Sequence, residues 1–530
     1  MQQMAVRLNG IFKDNMVFQW GAELRVFGTT DSRFKITAKL LKGRKIICQG
    51  SVIPEKDGSF LIGLKGTDNA GGPYTLEVLS GSTKKTVKNC YAGEVWLAVG
   101  QSNMEYPLRR TEFAEYLINK ISKTDIHFYN VPAPTAGEYD DDLRKREEES
   151  KWQIIDSSTA GDMSGVAFYF AREIEEMIDC KIGIIGCYMA GTSIDNWISV
   201  DVLGKTKTGK KYIKDFEARV QSFSAEEYRE ELAEFNAYRK VYEDKLAEVL
   251  ESNPYTTYKE CDLLIGPMDA HPPASWKGVM HPGAMYDNML SRIIPFMLRG
   301  VIYYQGESDC DEHCELYGDI FATLIKSWRE AFYNPEMPFV FCQLPMYISR
   351  ERRYMDYDDM RWPRVREQQQ IVAIDVPHSY MAVIPDCGEF DNIHPSDKRT
   401  PGQRLALMAL KFVYGFESVD AVAPYIIDAR RGEGIEVTFS GDFNTLNLVA
   451  GFNSDETGFE ICGEDGEYYN ADATIDLDGK TVLLQCRRVE NPVKVRYAYC
   501  SYGPTPLVAQ NGLAAAPFCV NIEKALGTTI

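Results

Sequence analysis

Val95-Trp96-Leu97-Ala98-Val99 runs without a polar side chain into Gly100-Gln101-Ser102-Asn103-Met104. Five apolar residues in a row, closed by glycine, suit a strand covered on both faces, as in parallel sheets. Gly100 permits a tight turn, and Ser102 follows at the carboxyl end of the strand, where open α/β sheets bind their ligands. A hydroxyl there is placed to act as a nucleophile; serine is equally a common helix N-cap.

Four further apolar runs read the same way, at 182–185, 301–304, 339–343 and 380–384, and residues 166–178 carry the 3.6-residue period of a covering helix. The expectation is an α/β unit with a parallel sheet over 91–418. On both sides of it the period becomes two. Phe34, Ile36, Ala38 and Leu40 alternate with charged or polar residues, as do Phe60, Ile62 and Leu64 and then Tyr74, Leu76 and Val78, with turns at Asp57-Gly58 and Gly71-Gly72-Pro73. Ile435, Val437 and Phe439, and then Val493, Val495, Tyr497 and Tyr499, repeat the pattern near the end. These stretches predict sandwich-like β domains at 1–90 and 419–530. One segment stands apart: Ser224-Ala225-Glu226-Glu227 is a capping box, and Tyr228, Leu232, Phe235, Tyr242, Leu246 and Val249 follow at helical spacing until Asn253-Pro254. It reads as a helical insertion over about 204–260.

Composition bounds the function. Among 530 residues, 58 Lys+Arg stand against 77 Asp+Glu, a net charge of −19 that repels phosphate backbones and anionic lipid surfaces. Neither nucleic acid nor membrane is therefore expected as a partner. Hydrophobic and charged fractions of 45% and 25% are those of globular proteins. The 13 cysteines are odd in number and scattered, which favours reduced thiols, and no apolar run reaches the roughly 18 residues of a membrane span. Residues 1–19 lack a basic start followed by an apolar block, so the expected compartment is the cytoplasm; the alternative is a secreted or periplasmic protein whose signal peptide has been removed.

The other strand ends add chemistry to Ser102. After the run at 182–185 come Met189-Ala190-Gly191-Thr192, where a Gly191 N–H can serve as an oxyanion donor. After 301–304 come Gln305-Gly306-Glu307-Ser308, an amide and a carboxylate at the same sheet edge. The last run leads to Asp391-Asn392-Ile393-His394-Pro395, in which a carboxylate three residues before an imidazole can fix its tautomer. Each segment alone has an ordinary structural explanation. Together they supply a nucleophile, oxyanion donors, a base and an orienting acid, the set needed for acyl transfer through a covalent acyl-serine.

These blocks resemble those of the SGNH hydrolase superfamily, and most closely the sialate O-acetylesterase family of carbohydrate esterases. The resemblance rests on Gly100–Met104 with Pro107-Leu108, on Gly191-Thr192 with Asp195 and Trp197, on Tyr304–Ser308, and on Asp391–Pro395. It extends to residues 11–19, to Gly458-Phe459-Glu460-Ile461 and to Pro517-Phe518. It implies a flavodoxin-like SGNH catalytic unit and removal of acetyl groups from sialic acid or acetylated hemicellulose. Ser102 would be the nucleophile, His394 the base and Asp391 its orienter, with Glu307 competing for that third place. The Ser102 amide, the Gly191 amide and the Gln305 side chain would form the oxyanion hole. Trp197, Trp276 and His281 are candidate sugar contacts. Met189, Ala190 and Tyr303 depart from the family, which has Trp-Gly at the first pair and Trp at the third. No cofactor is implied. Cys310-Asp311-Glu312-His313-Cys314 lacks zinc-site spacing, so no metal is expected there. Two readings compete: a lipid or thioester hydrolase on the same fold, and an inactive carbohydrate-binding relative.

Overall fold

The computed structural model describes residues 6–135, 143–268, 270–354, 357–449 and 456–522. They form two compact units, Met1–Tyr303 with Thr323–Phe339 and Tyr304–Ala322 with Val340–Ile530.

The first unit is organised by a single strand, Thr83–Gly100. Its first half pairs antiparallel with Gly71–Ser80, which pairs in turn with Ile36–Lys42. Its second half pairs in parallel with Ile182–Tyr188, Val95 opposite Gly183 and Gly100 opposite Tyr188. Residue 91, where the sequence pattern changes, therefore lies in mid-strand. The change of pattern is real: burial is patchy before Ala92 and complete from there to Gly100. One strand serves a half-solvated sheet and a fully covered one in succession.

The fully covered part would exclude Glu94, yet this carboxylate is only 1% exposed. Arg299 satisfies it with a fork of two hydrogen bonds, Nε to Oε2 at 2.6 Å and Nη2 to Oε1 at 2.9 Å, and the Trp20 indole N–H donates to Oε1. A buried carboxylate is tolerated only when paired in this way.

The strands of the unit's main sheet lie in the order Gln153–Ile154, Ile126–Asn130, Ile182–Tyr188, Thr83–Gly100, Gly300–Tyr304. Ile126–Asn130 is parallel to Ile182–Tyr188, whereas Gln153–Ile154 is antiparallel to its neighbour, so the sheet is mixed. The helix expected at 166–178 is found as Gly165–Met177, capped by the Ser164 hydroxyl accepting the Ala167 N–H at 3.2 Å. The alternating residues before it lie in strands, with two differences. Phe34 lies outside the Ile36–Lys42 strand and is 63% exposed, and Gly71-Gly72-Pro73 opens a strand instead of standing between two. The segment expected as an insertion holds the helices Lys207–Gln221 and Ala225–Ser252, the second with the full Ser224/Glu227 capping box, and a third helix, Tyr258–Ile265, runs past its expected end at 260. Its expected apolar stripe is only half-buried; Phe235 alone in that helix is buried.

In the second unit the helices Arg361–Asp375 and Arg399–Phe412 pack on the strand Ser379–Ala382. Two four-stranded sheets follow. Tyr425–Arg431, Ile435–Ser440, Thr481–Gln485 and Asp472–Ile475 make one, and Tyr468–Asn470, Phe459–Cys462, Lys494–Tyr497 and Phe518–Asn521 the other. Their alternating inner residues, among them Val437, Phe439, Ile461, Val495 and Tyr497, share one core. No helix among the described residues is long and apolar enough to cross a membrane.

Removing the guanidinium from Glu94 leaves a buried charge unpaired. Arg299→Met should lower the unfolding free energy by about 3 kcal/mol, read as a lower urea midpoint, whereas an unchanged midpoint would show that Glu94 is not held by this pair.

Candidate active site

Ser102 opens a short helical turn, Ser102–Glu105, directly after the buried strand. The N-cap position belongs to Gln101, not to Ser102, so the capping explanation of this serine does not hold. Gly100 has φ +154° and turns the chain out of the sheet. In the neighbouring strand the chain leaves at Tyr188, and the Met189 N–H donates to the Gly100 carbonyl at 3.2 Å, tying the two strand ends together. Gly191, two residues on, has φ +73°, a left-handed conformation that a side chain disfavours. Among the described residues the Gly191 N–H donates to no protein acceptor. It is the kind of amide an oxyanion hole needs.

The loop carrying Gly191 is braced from below. The Thr192 hydroxyl donates to the Met189 carbonyl at 2.8 Å, and the Trp197 indole N–H donates to the Thr192 oxygen at 3.0 Å. Trp197 itself is fully buried, and its carbonyl accepts the Trp328 indole N–H at 2.9 Å. Expected as a sugar contact, Trp197 is instead a core residue, because its indole N–H, its carbonyl and its whole surface are consumed inside the unit. His281 is 5% exposed, with Nδ1 donating to the Pro282 carbonyl at 2.7 Å and its own carbonyl accepting from Asn196 at 2.9 Å. Trp276 differs from both. Its ring lies 4.9 Å from Phe216 and 5.4 Å from His281, yet the residue remains 37% exposed.

The second unit carries the remaining candidates. Gln305 is fully buried and its amide is fixed: Nε2 donates to Asp309 at 2.5 Å, and the Tyr317 hydroxyl lies 3.0 Å from both its Oε1 and its backbone carbonyl. Glu307, 7% exposed, stands beside a cavity of about 220 Å³ that Tyr347, Ser349, Arg352, Trp362 and Ile393 also line. Close to it is Lys398, four residues after His394 and 1% exposed. Burial pulls the Lys398 ammonium down to about 8, and the Glu307 carboxylate is the main charge opposing that shift.

Asp391 and His394 share a loop organised by Glu389 and Asn392. The His394 N–H donates to Asn392 Oδ1 at 3.1 Å, Asn392 donates to Glu389 at 3.1 Å, and Glu389 also accepts the Ser396 N–H at 3.0 Å. Asp391 has φ +56° and turns its carboxylate to Arg350: Oδ1 accepts the Arg350 backbone N–H at 2.7 Å and Oδ2 lies 2.8 Å from the guanidinium Nε. The pairing of Asp391 with His394 suggested by their spacing is therefore not the one its two oxygens make.

In the 310–314 segment, Asp311, Glu312 and His313 place donor atoms within 4.8 Å of one another. His313 Nδ1 is already 3.2 Å from Asp311, and burial raises the thiols of Cys310 and Cys314, which keeps them protonated. Sequence reasoning missed Lys398, Arg350, Asp309 and Tyr317. The latter two lie four and twelve residues beyond Gln305, a local signal that was available.

The sialic acid-specific acetylesterase family of carbohydrate esterases matches residues 273–411, which include Gln305, Glu307, Asp391 and His394. Rat sialate O-acetylesterase is 25% identical, covering 94% of this chain and 90% of that protein, and the human one is 24% identical over 79% and 73%. Among solved structures, a carbohydrate acetylesterase from Xanthomonas citri superposes with a TM-score of 0.72 at 24% identity, covering 97% of this chain and 99% of that one. The chain is a carboxylic ester hydrolase of the carbohydrate esterase class. Within that class, its sequence is similar to those of the sialate O-acetylesterases.

Trp197→Ala removes a fully buried indole and should lower the unfolding free energy by about 3–5 kcal/mol; a thermal unfolding curve coincident with that of the wild type would return Trp197 to the surface.

Proposed function

We propose that this chain is a serine esterase that removes O-acetyl groups from carbohydrates through an acetyl-serine intermediate, on an SGNH-type catalytic unit flanked by two β domains. The observation that carries this reading is Ser102 itself, the first residue of a helical turn after a wholly buried strand, with the adjacent strand end tied to Gly100 and leading into Gly191. Ser102 Oγ attacks the acetyl carbonyl while His394 takes its proton and delivers it to the departing sugar oxygen. Water, activated by the same imidazole, then releases acetate. The Ser102 and Gly191 amides and the Gln305 side chain stabilise the oxyanion; the bonds from Asp309 and Tyr317 that orient the Gln305 amide support its part in this. The scheme uses only side chains and backbone amides of this chain, with water.

Either Asp391 or Glu307 orients the imidazole. The engagement of both Asp391 oxygens by Arg350 favours Glu307, whose buried carboxylate stands at the cavity that Ile393, next to His394, also lines. Glu307→Gln should then cut kcat more deeply than Asp391→Asn, and the reverse order would restore Asp391 to that role.

The substrate is an acetylated sugar, and one feature favours a carboxylated one. An overall acidic protein needs local positive charge to hold a sialate, and the helix Arg350–Tyr354 supplies it, with Arg352 lining the cavity beside Glu307. Arg352 also pairs with Asp359 at 2.8 Å, which leaves it partly neutralised and in a fixed place. Arg352→Ala should raise KM for O-acetylated sialate by about fivefold and leave KM for an acetylated neutral oligosaccharide within about twofold; equal effects on both would remove the preference.

Acetate release from p-nitrophenyl acetate and from acetylated sugars tests the reading as a whole. Ser102→Ala should lose on the order of 10⁴-fold or more in kcat, and undiminished turnover would sink it.

A further inference from the structure

Glu105 ends the helical turn that Ser102 begins, and at a spacing of three the two side chains leave the same face of that turn. Its Oε2 accepts the backbone N–H of Ala190 at 2.7 Å. Ala190 is the residue before Gly191, and the peptide group that joins them carries the Gly191 N–H. We propose that Glu105 is a positioning residue for the oxyanion loop: by holding the Ala190 N–H from the turn that carries Ser102, it fixes where the Gly191 N–H points relative to that serine. The proposal rests on the reading of Ser102 as nucleophile and Gly191 as oxyanion donor.

The other restraints on the loop act from different sides. Met189 is held by Gly100 through its N–H and by Thr192 through its carbonyl, and Thr192 is held by Trp197. Glu105 reaches the loop from the helical turn of Ser102. A tie of this sort sets the distance between nucleophile and oxyanion donor, the quantity to which acyl transfer is most sensitive; misplacement by about 1 Å can cost on the order of 100-fold. The neighbouring strand ends are already fixed by the sheet register, so the loop tip is the remaining freedom.

The choice of a carboxylate also fits. An amide could accept the same N–H without the cost of desolvating a charge, so a charged acceptor is useful here for the strength of its hydrogen bond. Packing around the carboxyl raises Glu105 to about 7, with the Ala190 N–H pulling the other way. Among the described residues the titratable groups around it include the phenols of Tyr188 and Tyr258, both raised by burial and so neutral; beside Tyr258 lies Arg110, whose guanidinium is 3.6 Å from the centre of that ring. The sign follows from these surroundings. Above about pH 7 the carboxylate is ionised and grips Ala190; on acidification it is protonated and the grip weakens.

The test compares wild type, Ser102→Ala, Glu105→Leu and Glu105→Gln with p-nitrophenyl acetate, measuring kcat, KM and melting temperature across pH. Glu105→Leu should lose 10- to 100-fold in kcat with KM within about twofold. Glu105→Gln, which still offers an acceptor, should recover most of kcat at pH 8, and its kcat should fall less steeply than that of the wild type below pH 7. With Ser102→Ala inactive, a Glu105→Leu enzyme within about threefold of wild-type kcat would overturn the proposal. So would acid limbs that run parallel in wild type and Glu105→Gln, a measurement that does not depend on Glu105→Leu folding. Turnover surviving in Ser102→Ala would instead remove the reading on which the proposal stands.

Discussion

The parallel register between Thr83–Gly100 and Ile182–Tyr188, with Gly100 opposite Tyr188, is the constraint on which the rest of the first unit depends. Two strands that end level with one another deliver two loops to one edge, and here one loop carries Ser102 and the other Gly191. A slip of one residue along either strand would turn every side chain of that strand to the opposite face and carry Ser102 and Gly191 out of step. The register is specified from both sides, since the paired residues, Glu94–Gly100 and Ile182–Tyr188, are buried on both faces and the strand ends are cross-tied from Met189 to Gly100.

The same strand explains how a charge came to lie in the interior. Glu94 sits where a half-solvated sheet passes into a covered one, and Arg299 and Trp20 meet it there. Arg299 immediately precedes the strand Gly300–Tyr304, neighbour of Thr83–Gly100 in the sheet. The pair thus helps to fix how these two strands meet. Polar satisfaction and strand alignment are one problem with one solution.

Much of this was legible in the sequence. The apolar run 95–99 ending in glycine, the capping box at Ser224 and Glu227, and the alternation around Val437 and Val495 all gave elements close to those observed, because each signal is local. What escaped was non-local. The strand Ile126–Asn130 went unread because His127 breaks its apolar run; the structure buries that imidazole fully, with Nδ1 2.6 Å from the Asn15 carbonyl and burial lowering it to about 4, so that it behaves as a neutral core residue. Trp197 lay beside a motif and suggested a sugar contact, while its partners Thr192 and Trp328 show it to be core. The Asp391–His394 spacing suggested a pair, but Arg350, forty-one residues upstream, takes the carboxylate.

The central claim is that the acetyl group passes through Ser102. It is tested most directly by acid-quenching the protein during turnover of an acetyl ester and mapping the acetyl group by peptide mass spectrometry. The account predicts one acetyl group on the peptide containing Ser102, lost in Ser102→Ala; an acetyl group carried on another residue instead would contradict it.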